Sequence, residues 1–200
     1  MNRADEIKKV AHALMLQKGY RAFSYADIAD VIGIQKASIH YYFPSKDNLV
    51  HSVLQDYRRA AADSLRSFEA NAKSPREKLD RYFRYWKDKL ACEPTDMCLC
   101  AMLASEESIL PEESRSEIQA HFEEMRAWIQ RVLEEAKASG ILRSCGGSSE
   151  VEAASVLAAV HGGMIATRAY RDAEQFSMVT EYVLERLMGK SGDGERGAGK

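Results

Sequence analysis

Between Gly33 and Pro44 the chain places Lys36, Ser38, His40 and Tyr41 within six positions. At about 100° per residue, Ile39 and Phe43 turn to one side of a short helix, while Lys36, Ala37, Ser38, His40 and Tyr41 are left facing away from it. A two-turn helix with donors on its outer face has the chemistry required to meet phosphates and base edges in a DNA major groove. A second set of chemically capable residues is the pair Cys98 and Cys100. On a helix, residues two apart point about 200° apart, so a shared metal or a disulfide requires the segment to unwind. Packing, a ligand-lining or electrophile-sensing thiol, and a metal ligand are the three readings of these cysteines, and Cys is often simply a small buried hydrophobe. The third set is aromatic and thioether: Tyr82, Phe83, Tyr85, Trp86, Met97, Met102, Phe122, Met125 and Trp128. Such residues build a bundle core and can also line a cavity for an apolar ligand, with His161 and Met164 candidates to face the same space. No Ser-His-Asp set, paired carboxylates, HExxH or phosphate-cradling glycines occur, so no catalysis, metal or cofactor is expected.

These residues need elements to position them. With 200 residues, 46% hydrophobic, 29% charged and only 4 prolines, the chain suits long helices around a sizeable core. Ile7, Val10, Ala11 and Leu14 predict a first helix over about 4–18, stopped at Gly19; Ser24, with Asp27 three residues on, caps a short second helix ending at Gly33. Pro44 ends the third, QKASIHYYF, and Ser45 caps a fourth over about 46–70, with Leu49, Val53, Tyr57, Ala61 and Leu65 every fourth position. Ser74-Pro75 opens a fifth, and Pro94 breaks the pattern ahead of MCLCAMLASEESIL. Pro111 opens a long helix running to Ser139-Gly140, CGGSSE is a loop, and closing helices span about 149–171 and 174–188. No strand alternation competes. The eighth helix is apolar almost all round, with Ala158, Gly162 and Gly163 permitting close approach of a partner, and the ninth offers Phe176, Val179, Val183 and Leu187.

The net charge of -2 hides an asymmetry: residues 1–60 carry nine Lys and Arg against six Asp and Glu, and the other 140 carry 19 against 24. A basic head on an acidic body fits a DNA-binding module joined to one with other work. No stretch approaches the roughly 20 apolar residues of a bilayer span, and MNRADEIKK lacks an apolar export core. With 4 cysteines and no export signal, a cytoplasmic location with reduced thiols is expected.

The stretch FSYADIADVIGIQKASIHYYFPSKDNL resembles the DNA-binding signature of the TetR family of bacterial transcriptional regulators. Ser24, Ile28, Ala29, Gly33, Ile34, Ser38, Ile39, Tyr41, Tyr42, Phe43, Ser45, Lys46 and Leu49 carry the likeness. Gln35, where the family usually caps its recognition helix with Ser or Thr, and His40, where it commonly has Tyr, depart from the pattern. The resemblance implies that Lys36, Ala37 and Ser38 approach bases, that Tyr25, Tyr41, Tyr42 and Lys46 meet phosphates, and that His40 serves at either. It also implies dimerisation through the last two helices and small-molecule inducers bound in the body.

The resulting expectation is an all-α chain of about nine helices: a three-helix helix-turn-helix DNA-binding domain over 1–50, linked through the fourth helix to a ligand-binding and dimerisation domain over 51–188, then a disordered tail over 189–200. Its function is a homodimeric repressor, joined through helices 8 and 9, that releases a palindromic double-stranded operator when a small apolar or aromatic inducer binds. Tyr82, Phe83, Trp86, Cys98, Met102, Phe122, Met125, His161 and Met164 are the expected ligand-binding residues. The alternative is a helical thiol-based redox or electrophile-sensing protein using Cys98 or Cys100.

Overall fold

The computed structural model describes residues 2–143 and 147–189. It is all-helical among those residues: α1 (Arg3–Ala22), α2 (Tyr25–Ile32), α3 (Lys36–Tyr42), α4 (Lys46–Asn71), α5 (Pro75–Cys92), α6 (Leu99–Ala104), α7 (Glu112–Ala138), α8 (Ser149–Tyr170) and α9 (Glu174–Met188), with one 3₁₀ turn (Glu107–Ile109) before α7. The expected disordered tail beyond Gly189, and Cys145 and Gly146 of the CGGSSE loop, lie outside the described residues.

Local chemistry sets the helix ends. Asn2 and Asp5 form a reciprocal capping box at α1, and Ser24 and Asp27 form another at α2. Ser74 accepts from the Glu77 N–H with Pro75 in the first turn of α5, and Ser148 accepts from the Val151 N–H at α8. Gly33 ends α2 in the left-handed conformation, φ 75°. The predicted stop at Gly19 is a kink: its φ is 78° and ψ 179°, after which one further turn runs to Ala22.

The chain divides into two compact units. One comprises residues 1–64 and 95–124; in it α1 packs on α2 and α6, and α2 on α3. Ile7, Met15, Phe23, Ile28, Ile39, Leu49, Leu54, Leu99 and Leu103 are buried there. The other comprises residues 65–94 and 125–200; α8 packs along α9, and both pack on α5. Its buried residues include Leu79, Trp128, Ile129, Val132, Val160, Met164 and Phe176.

Two readings of the sequence change at this level. Cys98 and Cys100 do not share a helix, because within MCLCAMLASEESIL the backbone enters α6 only at Leu99 and leaves it after Ala104. On α9, Phe176, Val183 and Leu187 are buried within the chain, so the large apolar side chains exposed on that helix are instead Met178 and Tyr182, beside the exposed Glu174, Glu181 and Glu185. The exposed positions of α8 are Glu150, Val151, Ala154, Ser155, Ala158, Gly162, Ile165, Ala169 and Tyr170, of which Val151, Ala154, Ala158, Gly162, Ile165 and Ala169 are spaced three or four apart along one face.

Candidate nucleic-acid interface and binding core

Recognition-helix geometry follows from two anchors. Ile39 and Phe43 are buried, which leaves Lys36, Ala37, Ser38, His40, Tyr41 and Tyr42 exposed, Tyr41 at 83%. Gln35 makes no side-chain bond to the start of α3, as its poor capping chemistry predicts. The Tyr41 and Tyr42 rings meet edge to face at 5.2 Å. The His40 ring lies 4.7 Å from the Tyr25 ring, tilted by 60°, and its Nδ1 lies 3.3 Å from the Pro44 carbonyl. A carbonyl can only accept, so Nδ1 is the donor in this contact.

Two residues that the family resemblance assigns to phosphate are engaged inside the fold. Tyr25 is only 5% exposed; its hydroxyl donates to the Phe43 carbonyl at 2.9 Å, and burial pushes its pKa up to about 12. The Lys46 ammonium donates to the Phe23 carbonyl at 2.6 Å and the Arg21 carbonyl at 3.4 Å, over the faces of Tyr20 and Phe23. Desolvation there lowers its pKa. Together they pin the α1–α2 connection and the end of α3 to the start of α4.

A third tie has no counterpart in the sequence reading. Glu106, between α6 and the 3₁₀ turn, accepts the backbone N–H groups of Tyr20 at 2.8 Å and Arg21 at 3.2 Å, which the kink at Gly19 leaves without helical partners. The Tyr20 hydroxyl donates to Asp47 at 2.6 Å, and burial, then Asp47, raises its pKa to about 12.

The expected ligand-lining residues divide between the units. Tyr82, Phe83, Trp86, Met125 and Met164 are buried in residues 65–94 and 125–200, with His161 half-buried. The Tyr82 ring lies 5.6 Å from Trp128 and 5.7 Å from Phe83, and Phe68 lies 6.5 Å from both Tyr82 and Trp128. Trp128 Nε1 is buried there without a hydrogen-bond partner among the described residues, an unmet donor beside an aromatic cluster.

Cys98, Met102 and Phe122 belong to the other unit. Cys98 is the residue before α6, with φ -57° and ψ 119°, so it is not helical and the expected 200° divergence from Cys100 does not apply. The two thiols bond each other, and Cys98 Sγ lies 3.5 Å from His121 Nε2. The Leu99 N–H donates to the Tyr57 hydroxyl at 3.3 Å, and the Tyr57 and His121 rings lie 5.4 Å apart. The thiol neighbour and then burial hold the Cys100 thiol well above its usual pKa; burial does the same for Tyr57. Among the described residues no group of three His, Cys, Asp or Glu is arranged to hold a metal. His121 was absent from the sequence reading, although its place between Ile118 and Met125 on the apolar stripe of α7 was a signal available there.

Comparison with known proteins adds to this geometry. Residues 7–53 match the family model of bacterial regulatory proteins, tetR family, and residues 75–182 match that of the LmrA/YxaF-like transcriptional regulator C-terminal domain. A TetR-family transcriptional regulator from Agrobacterium tumefaciens superposes with a TM-score of 0.89 at 40% identity, covering 92% of this chain and 97% of that one. A TetR transcriptional regulator from Legionella pneumophila gives 0.84 at 31% identity, covering 94% and 98%. The HTH-type transcriptional repressor KstR2 of Mycolicibacterium smegmatis is 28% identical over 146 residues, 71% of this chain and 68% of that protein.

Proposed function

This chain belongs to the TetR family of bacterial transcriptional regulators, and from that premise we propose that it is a homodimeric repressor whose two heads grip a palindromic operator until a small apolar or aromatic molecule binds the body. The observation that carries the DNA half is the outward face of α3, where Lys36, Ser38, His40 and Tyr41 are all exposed while Ile39 is buried behind them. Lys36, Ala37 and Ser38 are assigned to bases, Tyr41 and Tyr42 to phosphate, and His40 to either. Tyr25 and Lys46 then act by fixing the helix rather than by touching DNA in this arrangement. Similarity to the KstR2 repressor supports repression over activation.

The dimer reading is supported by the exposed apolar stripe of α8 and by Met178 and Tyr182 on α9, a set of apolar side chains on two adjacent helices that water does not favour. The inducer reading is supported by the unit containing Tyr82, Phe83, Trp86, Met125, His161 and Met164. Trp128 Nε1 is the donor an incoming carbonyl or ether oxygen satisfies. Selecting an operator from random DNA tests the first half: an inverted repeat with half-sites about one helical turn apart is expected, and retention without sequence preference overturns it. Screening small aromatic molecules for operator release tests the second, with Trp128→Phe expected to weaken by roughly five- to tenfold those that carry an acceptor.

A further inference from the structure

We propose that Cys98 and Cys100 form a peroxide-oxidisable dithiol, with His121 as the base that activates Cys98, and that their disulfide is a second input to the regulator.

Three features make this a built arrangement rather than two incidental thiols. First, Cys98 lies outside α6 and Cys100 inside its first turn, and this break in the helix brings the two sulfurs into hydrogen-bonding contact. Second, His121 Nε2 is 3.5 Å from Cys98 Sγ and 3% exposed, positioned to take the thiol proton. Third, the backbone between the sulfurs is held by the Tyr57 hydroxyl on the Leu99 N–H. Cys100, held in its thiol form by its neighbour and by burial, is the resolving partner.

The chemistry balances with one equivalent of a hydroperoxide as oxidant. His121 accepts the Cys98 proton, and the thiolate attacks the distal oxygen of hydrogen peroxide. The O–O bond breaks, leaving Cys98 as sulfenic acid, and the departing hydroxide takes a proton to leave as water. The Cys100 sulfur then attacks the sulfenic sulfur, the S–S bond forms, and hydroxide again leaves as water with the Cys100 proton. Two thiols and one peroxide become one disulfide and two waters. Cys98 is 1% and Cys100 0% exposed, so the site selects an oxidant close to water in size and excludes bulky alkylating agents, which meet the exposed Cys92 instead.

The output runs through α6. Its first backbone bond, Met102 N–H to the Cys98 carbonyl at 3.0 Å, depends on the conformation of residues 98–100, which the disulfide resets. α6 packs on α1, and Glu106, two residues beyond its end, holds the Tyr20 and Arg21 N–H groups. These residues share one compact unit with the recognition helix.

The test uses the full chain carrying Cys92→Ser and Cys145→Ser, which leaves Cys98 and Cys100 as the only thiols of the 4. A few equivalents of hydrogen peroxide should lower the intact mass by about 2 Da, map to residues 98–100, and be reversed by dithiothreitol. With Cys100→Ser added, dimedone should trap Cys98 as sulfenic acid. His121→Gln should slow the mass loss roughly tenfold or more while the helical signal is kept. Should that variant not fold, the trapping result, obtained with His121 intact, still decides. No mass loss, dimedone labelling of Cys100 rather than Cys98 in the matched variants, or N-ethylmaleimide reacting with Cys98 as fast as it does with Cys92 in the wild-type chain overturns the proposal.

The DNA arm rests on the operator-binding reading above. Oxidation is expected to weaken operator binding at least about tenfold, reversibly. A clean disulfide with unchanged affinity overturns the switching role. Absence of specific binding even in the reduced protein instead overturns the operator reading and leaves the thiol chemistry standing.

Discussion

Lys46 and Lys36 bear the same charge ten residues apart and are expected to fail differently. Lys46 is tied to the Phe23 and Arg21 carbonyls, so Lys46→Ala should destabilise the protein by about 1–3 kcal/mol in chemical denaturation, as for a partly buried charged hydrogen bond. Lys36→Ala should leave stability unchanged and alter the selected operator at one or two positions, about 1–3 kcal/mol each. An unaltered motif for Lys36→Ala, or unaltered stability for Lys46→Ala, would sink the corresponding role. Asp27 supplies a pH prediction. Lys18 at 2.5 Å, then the Ser24 hydroxyl and N–H, hold its carboxyl well below the usual carboxylate range. Its lowered pKa means that its stabilisation is present above about pH 4, the pKa of an unfolded Asp, and is lost as pH falls further. Asp27→Asn should therefore be the less stable protein at pH 7, with the gap to wild type narrowing below pH 4. The outward residues of α3 were legible because helical phase is a local property. Tyr25, Lys46, Glu106 and His121 were not, since their partners lie 18 to 86 residues away in the chain and only folding brings them together.

At the level of elements, the two left-handed glycines of the head provide a contrast. A Cβ at Gly33 meets nothing, so Gly33→Ala should cost only the backbone strain, about 1 kcal/mol. A Cβ at Gly19 collides with the Glu106 carboxylate, so Gly19→Ala should cost clearly more and also weaken DNA binding; equal losses from the two in thermal unfolding would show that Glu106 grips nothing of consequence. Helix starts with Ser caps were readable from the sequence because the signal is three residues long. The break of α6 at Cys98 was not, because it depends on the Tyr57 hydroxyl taking the Leu99 N–H from 42 residues away.

For the whole molecule, the exposed stripe of α8 makes assembly testable. Ile165→Glu together with Tyr182→Glu should give monomers in sedimentation, with operator affinity reduced roughly a hundredfold as the two heads lose their linkage. A double variant that remains dimeric would move the interface elsewhere. The all-helical class and the head were readable from periodicity and a dense motif, whereas the burial of Phe176, Val183 and Leu187 against the chain itself was not, because an apolar stripe alone does not say which surface covers it.

The distribution of the two tryptophans has a practical consequence. Trp86 and Trp128 both belong to the unit formed by residues 65–94 and 125–200, and the unit holding the recognition helix has none. Indole emission therefore reports directly on that tryptophan-bearing unit, whereas far-ultraviolet ellipticity sums over both. Recorded on the same sample, the two signals resolve which half of the molecule melts first.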